Sequence, residues 1–156
     1  MNSQTALDLL NSIDKTIIEI DSISGPSLLV DAYLAKFLVV YICGVYEEAI
    51  ENILIDFTNR NTSRAEIVEY TTSTLDKLFR NPDFAKLTEL AGMFGGEQWK
   101  FDLKKLSSPG GVALTSIVSN KNSLAHGQLV TLTLTDVKQY YIDSRPVIEK
   151  IDFLTS

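Results

Sequence analysis

The stretch from residue 28 to about residue 57 constrains the fold of this chain more than any other segment. Its apolar pattern is helical, and between Phe37 and Tyr46 it is apolar on every side. A helix of that kind must be surrounded, either by other helices of a globular protein or by lipid. The uninterrupted apolar run is much shorter than the roughly 20 residues that cross a bilayer. The sequence therefore predicts a central buried helix and no membrane-spanning segment.

Other segments with helical spacing of their apolar residues flank this central helix on both sides. Glycine, proline and asparagine separate them, as at Ser24-Gly25-Pro26-Ser27 and Asn81-Pro82-Asp83. Ser63 is predicted to cap the helix that precedes the second of these breaks. The predicted segments are residues 6–20, 63–80, 84–93, 97–106 and 112–122.

The segment from Leu129 to Thr135 alternates apolar residues with threonine, which by period alone is typical of a strand. Because no partner strand can be identified, we expect an extended connector whose Thr135 caps a last helix over residues 136–153. The predicted fold class is all-α, a single-domain bundle of five or six helices. The domain spans residues 1–156, with a core over about 28–154 and an N-terminal helix within 1–24.

Composition and charge narrow the classes of function. The chain is 45% hydrophobic with a net charge of −6, which is typical of a soluble globule and argues against a broad surface for nucleic acid. Any contact with RNA must be local or made in the groove of a dimer. Cys43 is the only cysteine and is expected to be a buried thiol, so a cytoplasmic location is expected. One histidine and one cysteine exclude the usual zinc sites, and no metal or cofactor is expected.

The segment around the only histidine, His126, carries the candidate chemistry. Lys121 falls where the apolar stripe of the predicted helix would continue. Asn122 and His126 are four positions apart, so their side chains share one face of the helix, next to that stripe. Gly127 fits the position just past a helix end. We therefore expect a cation, an amide and an imidazole to converge near one end of this helix.

The same residues resemble the signature of the HEPN superfamily of small helical proteins, many of which are metal-independent ribonucleases. In that family an arginine, usually followed by a polar residue, precedes a histidine by four to six positions, and the histidine often lies within Ala-His-Gly. Here Asn122 matches the polar residue and His126 the histidine, with Ala125 and Gly127 on either side. Lys121 stands where the family has arginine.

Three further blocks are similar to one bacterial subset of the family, the RiboL-PSP/MAE type. They are residues 41–48, the block from Phe94 through Trp99 to the glycine break at residues 109–111, and the threonine-rich stretch that leads into residues 136–141. The resemblance extends from about residue 28 to the end of the chain.

The resemblance implies an endoribonuclease that needs no metal and leaves a 2′,3′-cyclic phosphate, acting as a toxin or in phage defence or stress. His126 would take the proton of a ribose 2′-hydroxyl, Lys121 would stabilise the charge on the phosphate, and Asn122 would hold either group. The implied partners are RNA, a second copy whose motif helix meets this one, and an antitoxin or a nucleotidyltransferase. Lysine keeps the charge of arginine but not its planar fork. The alternative is a catalytically inactive, dimeric module that binds protein or RNA.

Glu47, Glu48 and Asn52 on the central helix are candidates for a supporting role. Glu48 and Asn52 extend a buried stripe with polar groups, and Glu48, or its neighbour Glu47 at the position that matches the family, could orient His126 or Lys121. The alternative is that both glutamates lie beyond the buried section and are solvated. For His126 the alternative is a structural role at the helix end, where a cationic side chain meets the helix dipole favourably.

Overall fold

The chain folds as an all-α bundle. The computed structural model describes every residue except Pro26, and it leaves the side chain of Leu78 undescribed as well. No β-strand occurs in the described residues, and the all-α class predicted from sequence is confirmed. The helices are α1 (Gln4–Ile23), α2 (Leu28–Asn61), α3 (Ala65–Leu78), α4 (Phe84–Lys104), α5 (Val112–Ala125) and α6 (Leu134–Leu154), with a π-helical turn over Ser107–Gly111.

Helix α2 lies at the centre, and α1, α3, α5 and α6 all pack against it. Its inward side chains are apolar, and the largest of them, Tyr46, is fully buried and shares a 2.9 Å hydrogen bond with the Ser144 hydroxyl of α6. That bond satisfies a phenol that would otherwise be costly to bury. The long apolar segment therefore provides the surface on which the other helices assemble.

Two helix caps differ from the sequence prediction. Helix α6 is capped by Thr133, so the prediction of Thr135 was wrong. The Thr133 hydroxyl accepts from the Asp136 N–H at 3.1 Å, and the Asp136 carboxylate accepts from the Thr133 N–H at 3.0 Å. This reciprocal pair needs an acidic residue three positions after the cap, which Thr135 lacks. Ser63 was also wrong as a cap, because α3 begins after Arg64 with no side-chain cap.

The two segments predicted on either side of Gly95-Gly96 form one helix with a kink. Gly96 has φ 67° and ψ −161° inside α4, a conformation available essentially to glycine alone. The helical hydrogen bonds resume on both sides, so the break expected between residues 93 and 97 is confined to this kink.

The two ends of the chain are fastened together. The buried carboxylate of Asp152 accepts from the backbone N–H groups of Asn2 at 2.5 Å and Ser3 at 2.8 Å. The Ser3 hydroxyl donates to Asp56 of α2 at 2.7 Å, and Arg60 donates to the Thr155 carbonyl at 2.9 Å. The N-terminal segment is thereby joined to α2 and α6.

Helix α2 is also apolar enough to be compared with a membrane span. An 18-residue window of it has a mean hydropathy of 1.9, and 33% of that window is buried in the fold. By length and composition alone this helix could cross a bilayer, a test that core helices also pass. This window is longer than the uninterrupted apolar run between Phe37 and Tyr46, because it also contains the charged residues Asp31 and Lys36.

Candidate functional site

The motif lies at the C-terminal end of α5, as its glycine predicts. His126 is the residue that ends the helix, and its backbone N–H donates to the Asn122 carbonyl at 3.0 Å. Gly127 follows with φ 71°, in the left-handed region that glycine adopts at no steric cost. The chain therefore turns away immediately after the histidine, and the imidazole is exposed.

His126 and Asn122 line one polar cleft of about 290 Å³. Thr115 and Ser119 precede them at steps of four and three, which places all four side chains on one face of α5. Among the described residues, no hydrogen-bond partner is found for the imidazole of His126 or the carboxamide of Asn122. Both groups are therefore available to a ligand. Asp83, Ser123 and Gln128 also line this cleft.

Lys121 lies in a different cleft, of about 500 Å³, between α5, α2 and the segment that joins α3 to α4. Its ammonium donates a hydrogen bond to the side-chain oxygen of Asn81. Residues five apart on a helix point in directions that differ by roughly 140°, so Lys121 and His126 face opposite sides of the Phe79–Asp83 segment. The structure brings Asn122 and His126 together, but it does not bring Lys121 to them.

Asn81 is the residue that sequence reasoning missed. Its backbone N–H donates to the Glu47 carboxylate at 2.5 Å, while its side-chain oxygen accepts from Lys121. It has φ 56°, in the left-handed region that asparagine tolerates better than most residues. The sequence identified Asn81 only as a helix breaker, whereas in the structure it links the carboxylate of α2 to the cation of α5.

The three supporting candidates on α2 have different surroundings. Glu47 is half-buried and lines the Lys121 cleft. Glu48 is exposed and lines neither cleft, and Asn52 donates to the Glu48 carbonyl of its own helix at 2.8 Å. Of the three, only Glu47 is connected to Lys121 by hydrogen bonds, with Asn81 as the residue between them. Its role in catalysis stays a prediction.

Carboxylates dominate the electrostatics of the Lys121 cleft. Glu47, Glu51 and Asp76 line it together with Lys121 and Arg80. Desolvation raises the pKa of Glu51, and the nearby charges of Asp76 and Glu48 raise it further. The same negative charges also repel a phosphate. An anionic ligand is therefore favoured near the ammonium of Lys121 only on the side away from these carboxylates.

Cys43 is excluded as a nucleophile. Burial raises its thiol pKa to about 12, with a further contribution from Glu47 and a smaller opposing one from Lys121. The thiol sulfur lies 4.0 Å from the Glu47 carboxylate. A thiol that stays protonated in this way is unreactive at neutral pH.

No group of three or more His, Cys, Asp or Glu side chains that could hold a metal ion is found in the described part of the chain.

The model of the RiboL-PSP-HEPN family matches residues 2–153. The match includes α1, which lies outside the resemblance identified from sequence. Neither a curated protein nor a solved structure gives a significant match.

Proposed function

Because the chain belongs to the RiboL-PSP-HEPN family of HEPN-type domains, we propose that it cleaves RNA without a metal ion, with His126 as the group that moves the proton. The imidazole takes the proton of a ribose 2′-hydroxyl, and the 2′-oxygen attacks the adjacent phosphorus. The bond from phosphorus to the 5′-oxygen breaks, and the leaving oxygen takes a proton from water, while the imidazolium returns its proton to the solvent. The products are a 2′,3′-cyclic phosphate and a 5′-hydroxyl.

One observation carries this proposal: the imidazole of His126 is exposed, has no protein partner among the described residues and lines an open polar cleft with Asn122. Asn122 and Ser119 supply amide and hydroxyl groups that can hydrogen-bond ribose or phosphate. DNA would not be cut, because it lacks the 2′-hydroxyl.

Lys121 acts on the phosphate by charge. The hydrogen bond to Asn81 uses one of the three ammonium protons, so two remain for a phosphate oxygen. Because lysine has a flexible four-carbon stem, the ammonium can leave Asn81 for a phosphate bound between the two clefts. A neutral amide partner holds Lys121 less tightly than a carboxylate would.

The proposed setting is the bacterial cytoplasm, where the activity would serve as a toxin or in phage defence or stress. HEPN domains often act as dimers or bind RNA. The proposed partners are RNA, a second copy of the chain, and an antitoxin or a nucleotidyltransferase. The expected meeting of two motif helices stays a prediction.

Single-turnover cleavage of a mixed RNA pool in EDTA tests the activity. We expect His126→Ala to lower the rate by about 10²–10⁴-fold and Lys121→Ala to lower it by roughly a hundredfold. Lys104→Ala, at an exposed lysine of α4, is the matched control and should leave the rate unchanged. A mixed pool of DNA is the second substrate. Equal cleavage of RNA by all four proteins, or cleavage of the DNA, would refute the assignment of His126.

The second candidate is an interaction module that has lost catalysis. The observation that favours it is the Lys121 cleft, where Glu47, Glu51 and Asp76 surround the ammonium and Asn81 holds it. The discriminating variant is Lys121→Arg, which restores the bidentate fork. Absence of cleavage by the native protein, with cleavage by Lys121→Arg, would identify a silenced member of the family.

A further inference from the structure

A pocket of about 450 Å³ lies between α3 and α4 and is lined by side chains from residues 70–79 and 86–94. We call it the α3–α4 pocket. Helix α3 packs on α2, and in the described part of the chain it makes almost no contact with α4. The space between α3 and α4 is therefore open. Its volume is within the roughly 300–1,000 Å³ that small-molecule sites occupy.

The inner surface of the α3–α4 pocket is apolar and belongs to the core of the protein. Leu75 and Phe79 are only 3% and 8% exposed. Leu90 and Phe94 of α4 line the pocket and pack against the same core. The ring of Phe94 is supported from behind by Phe57, with ring centroids 6.3 Å apart. Because core packing holds these side chains, the pocket is formed before any ligand enters, as is usual for small-molecule sites.

The mouth of the pocket also carries apolar side chains. Tyr70 of α3 is 73% exposed and Met93 of α4 is 78% exposed, and both line the pocket. A ligand between them would remove apolar surface from water, with a gain roughly proportional to the area that is covered. The body of a matching ligand is therefore apolar.

Lys86 gives the pocket a positive charge near the start of α4. Its ammonium donates to the Arg80 carbonyl at 3.0 Å, which uses one of its three protons. No carboxylate pairs with this ammonium among the residues that the structure describes. Glu89 also lines the pocket, about one turn further along α4. An anionic head group is therefore favoured beside Lys86 and disfavoured beside Glu89.

Two hydroxyl groups of α3 add hydrogen-bonding capacity. Thr71 and Thr74 line the pocket, and no hydrogen-bond partner is found for either hydroxyl within the described chain. By contrast, the hydroxyl of Thr72 donates to the Val68 carbonyl of its own helix at 3.0 Å. Free hydroxyls can donate to the oxygens of an anionic head group.

We propose that the α3–α4 pocket binds a free medium-chain carboxylic acid in its anionic form. The carboxylate lies beside Lys86, and the chain runs along α4 towards Phe94. At about 30 Å³ for each water-sized group, 450 Å³ holds roughly fifteen non-hydrogen atoms. Dodecanoate, with about fourteen such atoms, fills this volume. A helix of another protein fits less well, because it is about 10 Å wide and the pocket would hold about one turn of it.

The expected affinity is moderate. A fourteen-carbon acyl chain associates with membranes with a constant of about 10⁴ M⁻¹. Two fewer CH₂ groups lower this constant roughly fifteenfold, and the charge-assisted contact with Lys86 raises it roughly tenfold. We therefore expect dodecanoate to bind with a dissociation constant on the order of 100 μM.

Isothermal titration calorimetry of the full chain with dodecanoate measures this binding. Lys86→Gln should weaken it about tenfold. Lys77→Gln removes the same charge at an exposed lysine of α3 that does not line the pocket, and it is the matched control. Dodecylammonium should bind at least about tenfold more weakly than dodecanoate, because its charge is repelled by Lys86.

Two further measurements test the shape of the pocket. Thr74→Phe adds a ring inside the pocket and should abolish binding, whereas Ser73→Phe adds the same ring at an exposed neighbouring position and should leave binding unchanged. Circular dichroism verifies that both variants fold, and the surface variant Lys86→Gln keeps the test valid if Thr74→Phe does not. Affinity should rise about fourfold for each CH₂ from octanoate to dodecanoate and stop rising at hexadecanoate, because the pocket is then full.

Absence of dodecanoate binding, equal or tighter binding of dodecylammonium, or undiminished binding by folded Thr74→Phe would overturn the proposal. An affinity that keeps rising to hexadecanoate would do the same, because it indicates unspecific partition. A dimer that Thr74→Phe dissociates would assign the pocket to a second copy, and flotation with phosphatidylglycerol vesicles that Thr74→Phe abolishes would assign it to a bilayer. Either result would also overturn the proposal. The α3–α4 pocket does not depend on the proposed RNA cleavage, so its failure would leave the role of His126 untouched.

Discussion

Substitutions of Asn81 separate the two contacts that this residue makes. Asn81→Gly keeps the backbone N–H that donates to Glu47 and tolerates φ 56°, but it removes the oxygen that accepts from Lys121. Asn81→Ala removes the same oxygen and keeps a Cβ in a left-handed conformation, which alanine tolerates less well than asparagine does. Asn81→Asp keeps an oxygen at the same place and gives it a negative charge.

The expected magnitudes follow from these differences. A hydrogen bond to a charged group contributes about 1.5–3 kcal/mol to stability, and the lower end applies because Lys121 is half-buried. The left-handed conformation costs a non-glycine residue about 1–2 kcal/mol. Native asparagine already bears part of that cost, so glycine relieves it and alanine adds only the difference. We therefore expect Asn81→Gly to lower the free energy of unfolding by about 1 kcal/mol and Asn81→Ala by about 2 kcal/mol. Asn81→Asp should stay within about 1 kcal/mol of the native protein.

Urea unfolding followed by the fluorescence of Trp99, the only tryptophan, measures these values. Trp99 packs against Phe57 with ring centroids 5.4 Å apart, so its emission reports on the core. Asn120→Ala is the control, because that carboxamide bonds only within its own helix. Equal losses for the glycine and alanine variants would show that the backbone at Asn81 is not held left-handed. If neither variant lost stability, the link to Lys121 would not exist in solution.

Cys43, whose thiol pKa is raised to about 12 by burial, should not react with Ellman's reagent at pH 8 until urea is added, and rapid labelling of the native protein would contradict its burial. Asp152→Asn should cost about 2 kcal/mol and speed amide exchange at Asn2 and Ser3, whose N–H groups bond to this carboxylate; unchanged exchange would show that the ends are not joined. The bonds from Thr133 lower the pKa of Asp136 below its usual 3.8. The stabilisation that the Asp136 carboxylate gives to the folded protein is therefore fully present above the pKa of this group in the unfolded chain. It is lost as the pH falls through the lower pKa in the folded protein. As the pH falls through this folded-state pKa, amide exchange at the start of α6 should rise. The Asp136→Asn variant should show no such rise with falling pH.

The sequence was sufficient where the determinants of structure are local. The apolar spacing around Tyr46 predicts the central helix, and Gly127 predicts the end of the motif helix, because periodicity and left-handed glycine act over a few residues. The Thr133 cap was also a local signal, since Asp136 follows three positions later. The prediction of Thr135 was wrong because threonine recurs at every second position from Thr131 to Thr135, and only Thr133 has an acidic residue three positions later.

The parts of the site that could not be predicted depend on contacts between distant positions. Asn81 meets Glu47 and Lys121 at sequence separations of 34 and 40 residues, and no spacing rule connects such positions. The direction of Lys121 was misjudged for a related reason. A helical stripe gives relative directions on α5, but only the packing of α5 on α2 decides which face meets the Phe79–Asp83 segment.

The hydrogen bonds from Asn2 and Ser3 to Asp152 also make a circular permutation of the chain feasible. Because the two ends meet, a short glycine-rich linker could join them, and new ends could be opened between Gln128 and the fully exposed Leu129. In such a circular permutant α6 would precede α1 in the chain, while every helix kept its neighbours. Successful folding would show that the bundle depends on which surfaces touch and not on the order in which the ribosome makes them.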